Sequence, residues 1–353
     1  MLDLWILTHR RVGDLQQMRT LATVLEARVV EKQIGFRNAQ LARVMPFLSL
    51  SLMDRQGSSP LEAPWPDLVL VAEGAVGSIG LEVKRRSSGK TKVVCLGRPR
   101  GRIKEFDLII TSPQFELTPA ANVLELNLPL HRLDRRALEK AANLLLPRVS
   151  HLQRPWIVLL VGGTSAPDIL DESAASALAK EALSRAKQDG ASLLVVTSPR
   201  TGAIAERALA KVLGEEAHLF FWSRADAENA YLGCLQLADA FIVTSDSISM
   251  ATEALLTGKP LEIYRLPQKL KGVRAAAAYL ARTRLKGGLA FTSGLFEVRP
   301  NRLAVLDRLH RSNVFDLELD RERAKDRVFK LLCTESGGCP PIVLPHKPPS
   351  RKS

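Results

Sequence analysis

The sequence predicts an α/β protein with parallel sheets, arranged as two successive domains. Three features carry that expectation. Short apolar runs such as Leu68-Val69-Leu70-Val71-Ala72 have the length and composition of strands buried on both faces. They alternate with stretches of helical spacing through short connections, the pattern of a sheet covered by helices. Near the middle, Pro147 and the polar Ser150-His151-Leu152-Gln153-Arg154-Pro155 interrupt the alternation, which then restarts. A first domain over residues 1–150 and a second over 151–333 are therefore expected.

In the first domain Leu4-Trp5-Ile6-Leu7 is a strand, followed by a turn from Thr8 to Asp14 and a helix from about Leu15 to Glu26. Val29 to Ile34 is a second strand, and Leu41 to Met53 has the length of a helix before the Gly57-Ser58-Ser59-Pro60 loop. After Pro66-Asp67 come the strand Leu68 to Ala72, the turn Glu73-Gly74 and a helix from Ala75 to Arg86. Strands at Lys92 to Leu96, Leu108 to Thr111 and Asn122 to Glu125 extend the sheet. Asp134 to Ser150 reads as a helix with Leu138, Ala141, Ala142 and Leu145 along one stripe.

The second domain opens with the strand Trp156 to Val161, the turn Gly162-Gly163-Thr164-Ser165 and a helix from Asp171 to Gln188 whose N-terminal acids suit its dipole. Leu193 to Thr197 is a strand, Ser198-Pro199-Arg200-Thr201-Gly202 a turn, and a helix follows to about Leu213. His218 to Trp222 is a strand, Ala225 to Asn229 a loop and Tyr231 to Ala238 a helix. Ala240-Phe241-Ile242-Val243 is the next strand. After a polar turn, Met250, Ala254 and Leu255 recur at helical spacing until Gly258 and Pro260 stop the helix. Leu261 to Tyr264 is a strand, and Lys271 to Arg284 and Asp320 to Cys333 are helices, the last expected to pack back on the first domain. Residues 334–353, rich in Pro and Lys, are expected to be a disordered tail.

Composition narrows the function classes. With 46% hydrophobic and 25% charged residues over 353 positions, the chain is ordinary globular material. No apolar run approaches the ~20 residues that cross a bilayer, and Asp3 stands where a signal peptide would carry basic charge, so a cytoplasmic location is expected. Cys95, Cys234, Cys333 and Cys339 show neither CxxC pairing nor a histidine cluster, which points away from a disulfide framework or a zinc site. Within the net charge of +13, residues 84–104 hold nine basic side chains (Lys84, Arg85, Arg86, Lys90, Lys92, Arg98, Arg100, Arg102 and Lys104) and no acid. Such a segment draws polyanions or an anionic membrane surface. It contains no aromatic residue to stack on bases, and no helix-turn-helix or zinc-finger pattern occurs, so no specific nucleic-acid partner is expected.

Three turns of the second domain fall just past carboxyl strand ends, the edge where open parallel sheets bind ligands. Gly162 and Gly163 let backbone approach a phosphate, and Ser165, Ser198 and Thr201 add hydroxyls. Arg200 has a planar fork able to grip a diphosphate. Thr244, Ser247, Ser249 and the amides as far as Met250 lie at a strand-to-helix junction, where an anion is favoured. Glu253 stands four residues after Ser249, one too many for a capping box, and could instead accept from ribose hydroxyls. Asn229 and Tyr231 could line a base or ribose pocket, Tyr231 equally serving as a packing residue. Asp246 is given a capping or turn-stabilising role, because an anion beside a diphosphate is unfavourable. Together these residues describe a nucleoside diphosphate bound as substrate rather than as a tightly held cofactor. His9, Asp14 and Glu73, in turns after early strands, are candidates to take a proton from an acceptor hydroxyl, Asp14 also fitting a helix cap. There is no GxxxxGK[ST], no glycine-rich dinucleotide fingerprint and no Tyr-x-x-x-Lys.

These residues carry a resemblance over most of positions 4 to 333. Its carriers are Gly13-Asp14 with Gln17, Pro66-Asp67, Val161-Gly162-Gly163-Thr164-Ser165, Thr197-Ser198-Pro199-Arg200-Thr201, Asn229-Ala230-Tyr231 and the run from Ala238-Asp239 through Met250, with Glu253-Ala254 and Gly258-Lys259-Pro260. In these the chain resembles the mitochondrial fission family named for the elongated mitochondria of its plant member. That family in turn is similar to GT-B glycosyltransferases, two Rossmann-like domains facing a cleft with a nucleotide sugar on the C-terminal one. The nearest likeness in outline is the membrane-surface enzyme that adds N-acetylglucosamine to a lipid-linked peptidoglycan precursor. The resemblance implies a uridine-linked sugar donor, a lipid or polysaccharide acceptor at the cytoplasmic face of the inner membrane, and no metal. Two departures stand out: Pro199 replaces the family's Arg, and Gln114-Phe115 replaces its His-Asp pair, which puts a catalytic role for that part of the first domain in doubt. The alternative expectation is a non-catalytic, membrane-associated interaction or membrane-remodelling protein.

Overall fold

The computed structural model describes residues 1–9, 12–44, 48–72, 74–99, 102–165, 167–222, 227–268, 308–309, 312 and 314–333, excepting side chains at 12–14, 40, 43–44, 227–229 and 315. They form two compact units, one of residues 1–130 with the terminal helix and one beginning at His131.

The first unit contains β1 (Asp3–Thr8), α1 (Val12–Val24), β2 (Arg28–Gln33), β3 (Gly35–Phe36), α2 (Ala39–Val44), α3 (Ser49–Leu52), β4 (Met53–Asp54), β5 (Leu68–Ala72), α4 (Ala75–Arg86), β6 (Lys92–Leu96), β7 (Leu108–Thr111) and β8 (Val123–Glu125). Its main sheet is parallel throughout, in the order β2-β1-β5-β6-β7-β8. The two-residue periodicity of β5 shows why its sequence is unbroken apolar: Leu68, Leu70 and Ala72 pack with Leu4, Ile6 and Met18, whereas Val69 and Val71 pack with Trp5, Leu7 and Ile79. Each Val, Leu, Ile or Met side chain among these, once fully buried, contributes about 1.5–3 kcal/mol. The helix expected over Leu41 to Met53 is instead two short helices, and Met53 joins β4, which pairs antiparallel with β3. Pro46, lying between the helices in sequence, lacks the N–H and the room that a continuous helix needs.

The second unit contains α5 (Arg135–Val149), β9 (Trp156–Val161), α6 (Glu172–Gln188), β10 (Ser192–Thr197), α7 (Gly202–Leu213), β11 (Ala217–Phe220), α8 (Ala227–Leu237), β12 (Ala240–Thr244), α9 (Ile248–Leu256) and β13 (Leu261–Tyr264). All five strands are parallel, in the order β11-β10-β9-β12-β13. Chain direction across the sheet therefore reverses between β9 and β12, the switch point outside which ligands of open α/β sheets bind. Ile157, Leu159 and Val161 of β9 bury against Leu178, Ala179 and Ala182 of α6 and Leu209 of α7. Asp134 and Asp171 start α5 and α6 by accepting hydrogen bonds from first-turn amides. Residues 227–229, expected in a loop, open α8, and β11 ends before Trp222.

The terminal helix α10 (Val314–Cys333) belongs to the first unit. Its Ala324 and Val328 join the core around Leu4, Leu126 and Leu130, and the buried Asp320 carboxylate accepts a 2.6 Å hydrogen bond from the Asn127 amide. The expected helix over 271–284 and the tail at 334–353 lie outside the described residues. The division at residue 130 differs from the boundary expected near 150, because α5 packs on α8 of the second unit. Gly233 makes that packing possible, since a Cβ there would stand 2.9 Å from the Ala141 carbonyl oxygen and 2.8 Å from Leu145 Cδ2.

Gly233→Ala should accordingly destabilise the protein. Overpacking costs about 1–3 kcal/mol, while alanine's better helix propensity returns at most ~1 kcal/mol. A lowered urea midpoint is the expected outcome, and an unchanged or raised midpoint would contradict this packing.

Candidate functional site

At the carboxyl edge of the second sheet, one buried carboxylate ties the turns together. Asp246, in the turn between β12 and α9, is 3% exposed. Its Oδ2 accepts from the Gly163 amide at 2.9 Å and pairs with Arg200 Nη2 at 3.0 Å, and its Oδ1 accepts from Thr244 Oγ1 at 2.7 Å. Thr244 in turn receives the Gly162 amide at 2.8 Å. The turns after β9, β10 and β12 thus meet on one side chain. Of the two roles expected for Asp246, these bonds are the turn-stabilising one, and the residue at the N-cap position of α9 is Ser247.

This closeness dictates the glycines. A Cβ on residue 162 would lie 2.3 Å from Asp246 Oδ2, and one on residue 163 would lie 2.1 Å from the Arg200 carbonyl oxygen. Both distances are far inside contact, so Gly162 and Gly163 are required by the protein itself, whether or not a phosphate approaches them.

Several hydroxyls expected to touch a ligand are used by the scaffold. Ser198 and Thr201, both buried, donate to the Gly162 carbonyl, Thr201 at 2.6 Å. Thr244 is fully buried between the Gly162 amide and Asp246. These three hold the turns in register, because their short side chains reach backbone groups before they reach the edge. Ser165, Ser249, Met250 and Glu253 remain partly exposed, and Ser247 is buried. Ser247 makes no side-chain bond to the first turn of α9. Arg200 keeps 42% of its side chain exposed while paired with Asp246.

Glu253 is enclosed by two other residues. Tyr231 Oη donates to its Oε2, and His131 Nδ1 lies 3.2 Å from its Oε1. Tyr231 therefore supports Glu253 instead of lining a pocket on its own. Removal from water, and then the neighbouring Glu253 charge, push the Tyr231 phenol well above its ordinary value and keep it a donor. The Asn229 side chain lies outside the described residues. Two residues of this edge were not singled out by sequence. His131 has no motif around it, and Trp222, read as a strand residue, is 42% exposed beyond the end of β11, its amide held by Thr197 Oγ1 at 2.8 Å.

In the first unit the corresponding switch point lies between β1 and β5. His9 follows β1, with Nδ1 2.8 Å from the Ile34 carbonyl oxygen and its ring edge-on to Phe36. A carbonyl only accepts, so Nδ1 carries the proton and Nε2 is the basic nitrogen. Glu73 and the side chain of Asp14 lie outside the described residues. No cluster of three or more potential metal ligands occurs among the described residues.

The basic segment is more neutral than its sequence suggests. Lys84 pairs with Asp107, Arg85 and Arg86 with Glu82, and Arg102 with Glu105, while Arg98 donates to the Phe115 carbonyl. The pairing acids, Glu82, Glu105 and Asp107, lie just beyond both ends of the segment. Hydrogen bonds from Arg85, and then from Arg86, bring the Glu82 carboxyl down to about 2.

Residues 12–288 match the family described as Mitochondrial fission ELM1. The Arabidopsis thaliana Mitochondrial fission protein ELM1 is 27% identical over 225 residues, 57% of this chain and 52% of that protein. The chain thus spans about half the length of this curated relative. Among solved structures, the Listeria monocytogenes protein assigned as a UDP-N-acetylglucosamine 2-epimerase aligns with a TM-score of 0.52 at 13% identity, over 97% of this chain and 100% of that one. The Neisseria meningitidis UDP-GlcNAc 2-epimerase bound to UDP-GlcNAc aligns with a TM-score of 0.49 at 11% identity, over 94% and 99%. Identities this low speak to fold, and the fold is two Rossmann-like units in one chain, GT-B-like in class.

Asp246→Ala strands the Gly163 amide and the Thr244 hydroxyl as well as Arg200, and should cost about 3–5 kcal/mol by thermal unfolding. Arg185→Ala, at an exposed pair with Asp189, should cost under about 1 kcal/mol. Comparable losses for both would contradict the bridging role. Because the Glu82 carboxyl sits below its ordinary value of 4.5, its contribution is present above pH 4.5 and is lost between 4.5 and about 2. Stability measured against pH should therefore fall less steeply through that window in Glu82→Gln.

Proposed function

The chain belongs to the mitochondrial fission ELM1 family, and we propose that it binds a nucleotide sugar on its second unit and transfers the sugar to a lipid or polysaccharide acceptor. The observation that carries this reading is the start of α9 at the β9/β12 switch point, where Ser247 supplies no side-chain cap. First-turn amides of a helix left in this state, with the positive end of its dipole, favour a diphosphate. Arg200 adds an exposed fork beside them, and Glu253, farther along the same helix, is placed for ribose hydroxyls. Trp222 offers a flat face to a base. The likeness of fold to a protein assigned to UDP-N-acetylglucosamine chemistry supports a uridine-linked donor.

In the transfer, the acceptor hydroxyl attacks the anomeric carbon as its proton passes to a base, and the bond to the nucleoside diphosphate breaks. The leaving diphosphate takes the electron pair, and its charge is met by the α9 amides and Arg200. His9, whose Nδ1 stands 2.8 Å from the Ile34 carbonyl oxygen, is one candidate for that base. Glu73 and Asp14 remain candidates by sequence alone. A peripheral position on the cytoplasmic face of the inner membrane completes the proposal, and none of the described helices is long and apolar enough to cross a membrane.

Membership in a family named for mitochondrial fission favours a second reading, a non-catalytic protein that acts at membranes through interactions. The two separate on nucleotide dependence. UDP at 100 times its dissociation constant should stabilise the protein by about 2.7 kcal/mol, and Arg200→Ala or Glu253→Ala should reduce the thermal shift. Absence of a shift with every nucleoside diphosphate, together with salt-sensitive binding to anionic vesicles, would leave only the second reading.

A further inference from the structure

We propose that Tyr231 and His131 are positioning residues of a vicinal-diol subsite, holding the Glu253 carboxylate in the orientation that a ribose-type diol uses. The inference rests on the reading of Glu253 as a ribose acceptor. Three separate parts of the second unit converge here: His131 at its start, Tyr231 on α8 and Glu253 on α9. A glutamate on a helix surface samples three side-chain torsions, and fixing it at the moment of binding weakens the complex. Here the Tyr231 hydroxyl bonds Oε2, and the buried His131 ring, with Nδ1 3.2 Å from Oε1, walls the other side, so that freedom is restricted in advance.

Geometry separates this arrangement from a sealed structural cluster. His131 is 1% exposed, yet 18% of the Glu253 side chain still faces solvent. Each carboxylate oxygen has two lone pairs, so an oxygen that accepts from a protein donor can still accept one ligand hydroxyl. Two neighbouring hydroxyls on one side of a ring match the two oxygens of a fixed carboxylate. A lone phosphate or a simple amine does not. The subsite is thereby selective for the diol of a nucleoside, while the diphosphate is met elsewhere on the same helix.

Calorimetric titration with UDP and with 2′,3′-dideoxy-UDP tests this, since the ratio of the two dissociation constants reports the diol and the dideoxy compound checks each variant for an intact diphosphate site. The wild-type protein should favour UDP by about tenfold or more, and Glu253→Gln should erase the preference. Tyr231→Phe and His131→Phe should reduce it severalfold with dideoxy-UDP binding unchanged. His131→Asn, which keeps a polar group beside Oε1, should retain most of it. Wild-type preference in Tyr231→Phe and His131→Phe, with loss only in Glu253→Gln, would overturn the positioning role and leave the ribose reading intact. No preference in the wild-type protein would remove the ribose reading and the positioning role together. Should Tyr231→Phe fail to bind either compound, the contrast between His131→Phe and His131→Asn decides.

Discussion

A single buried carboxylate organises the ligand edge of the second unit. Asp246 lies under three turns and receives a backbone amide, a hydroxyl and a guanidinium from different segments. A carboxylate removed from water is costly unless its charge is met, and here the donors come from the same turns whose shape must be fixed. The requirement runs both ways. Asp246 needs Gly163 and Thr244, and the turn after β9 can approach only because residues 162 and 163 have no side chain. Ser198 and Thr201 close the arrangement by holding the Gly162 carbonyl.

That constraint decides which groups are left for chemistry. Buried negative charge beside a diphosphate site would repel the ligand were it not compensated, and Arg200 compensates it while keeping 42% of its side chain exposed. The hydroxyls nearest the strands are taken by backbone, so a ligand meets amides, Arg200 and the outer residues of α9. Glu253 repeats the logic at a second position. Its carboxylate is bonded by Tyr231 and flanked by the buried His131, so a second restrained negative group lies on the same edge. Rigid polar groups held by buried partners are what a binding site needs in order not to lose affinity to ordering.

Much of this was legible in the sequence. Strands buried on both faces announce themselves as unbroken apolar runs, and the turns after β9, β10 and β12 stood out for their Gly, Ser, Thr and Arg content. Asp246 could be set apart from the ligand contacts on charge alone. What composition could not separate was a hydroxyl that faces a ligand from one that holds the scaffold: Ser198 and Thr201 hold the Gly162 carbonyl, and Thr244 holds the Gly162 amide and Asp246. His131 was invisible because its importance comes from a contact 122 positions away with Glu253, and no local pattern encodes that. The basic segment misled for a related reason: Glu82, Glu105 and Asp107 fall just outside the window but inside the fold's reach. Likewise α5, contiguous in sequence with the first domain, belongs to the second by packing on α8.

The central claim is that the turns gathered by Asp246 present the start of α9 to a nucleoside diphosphate. Amide-resolved NMR titration with UDP tests it most directly, because the groups concerned are backbone N–H groups. Saturable shifts at Gly163 and at residues 247–250, with the same apparent dissociation constant at Arg200, are the predicted result. Shifts confined to the first unit, or none at millimolar UDP, would contradict the account.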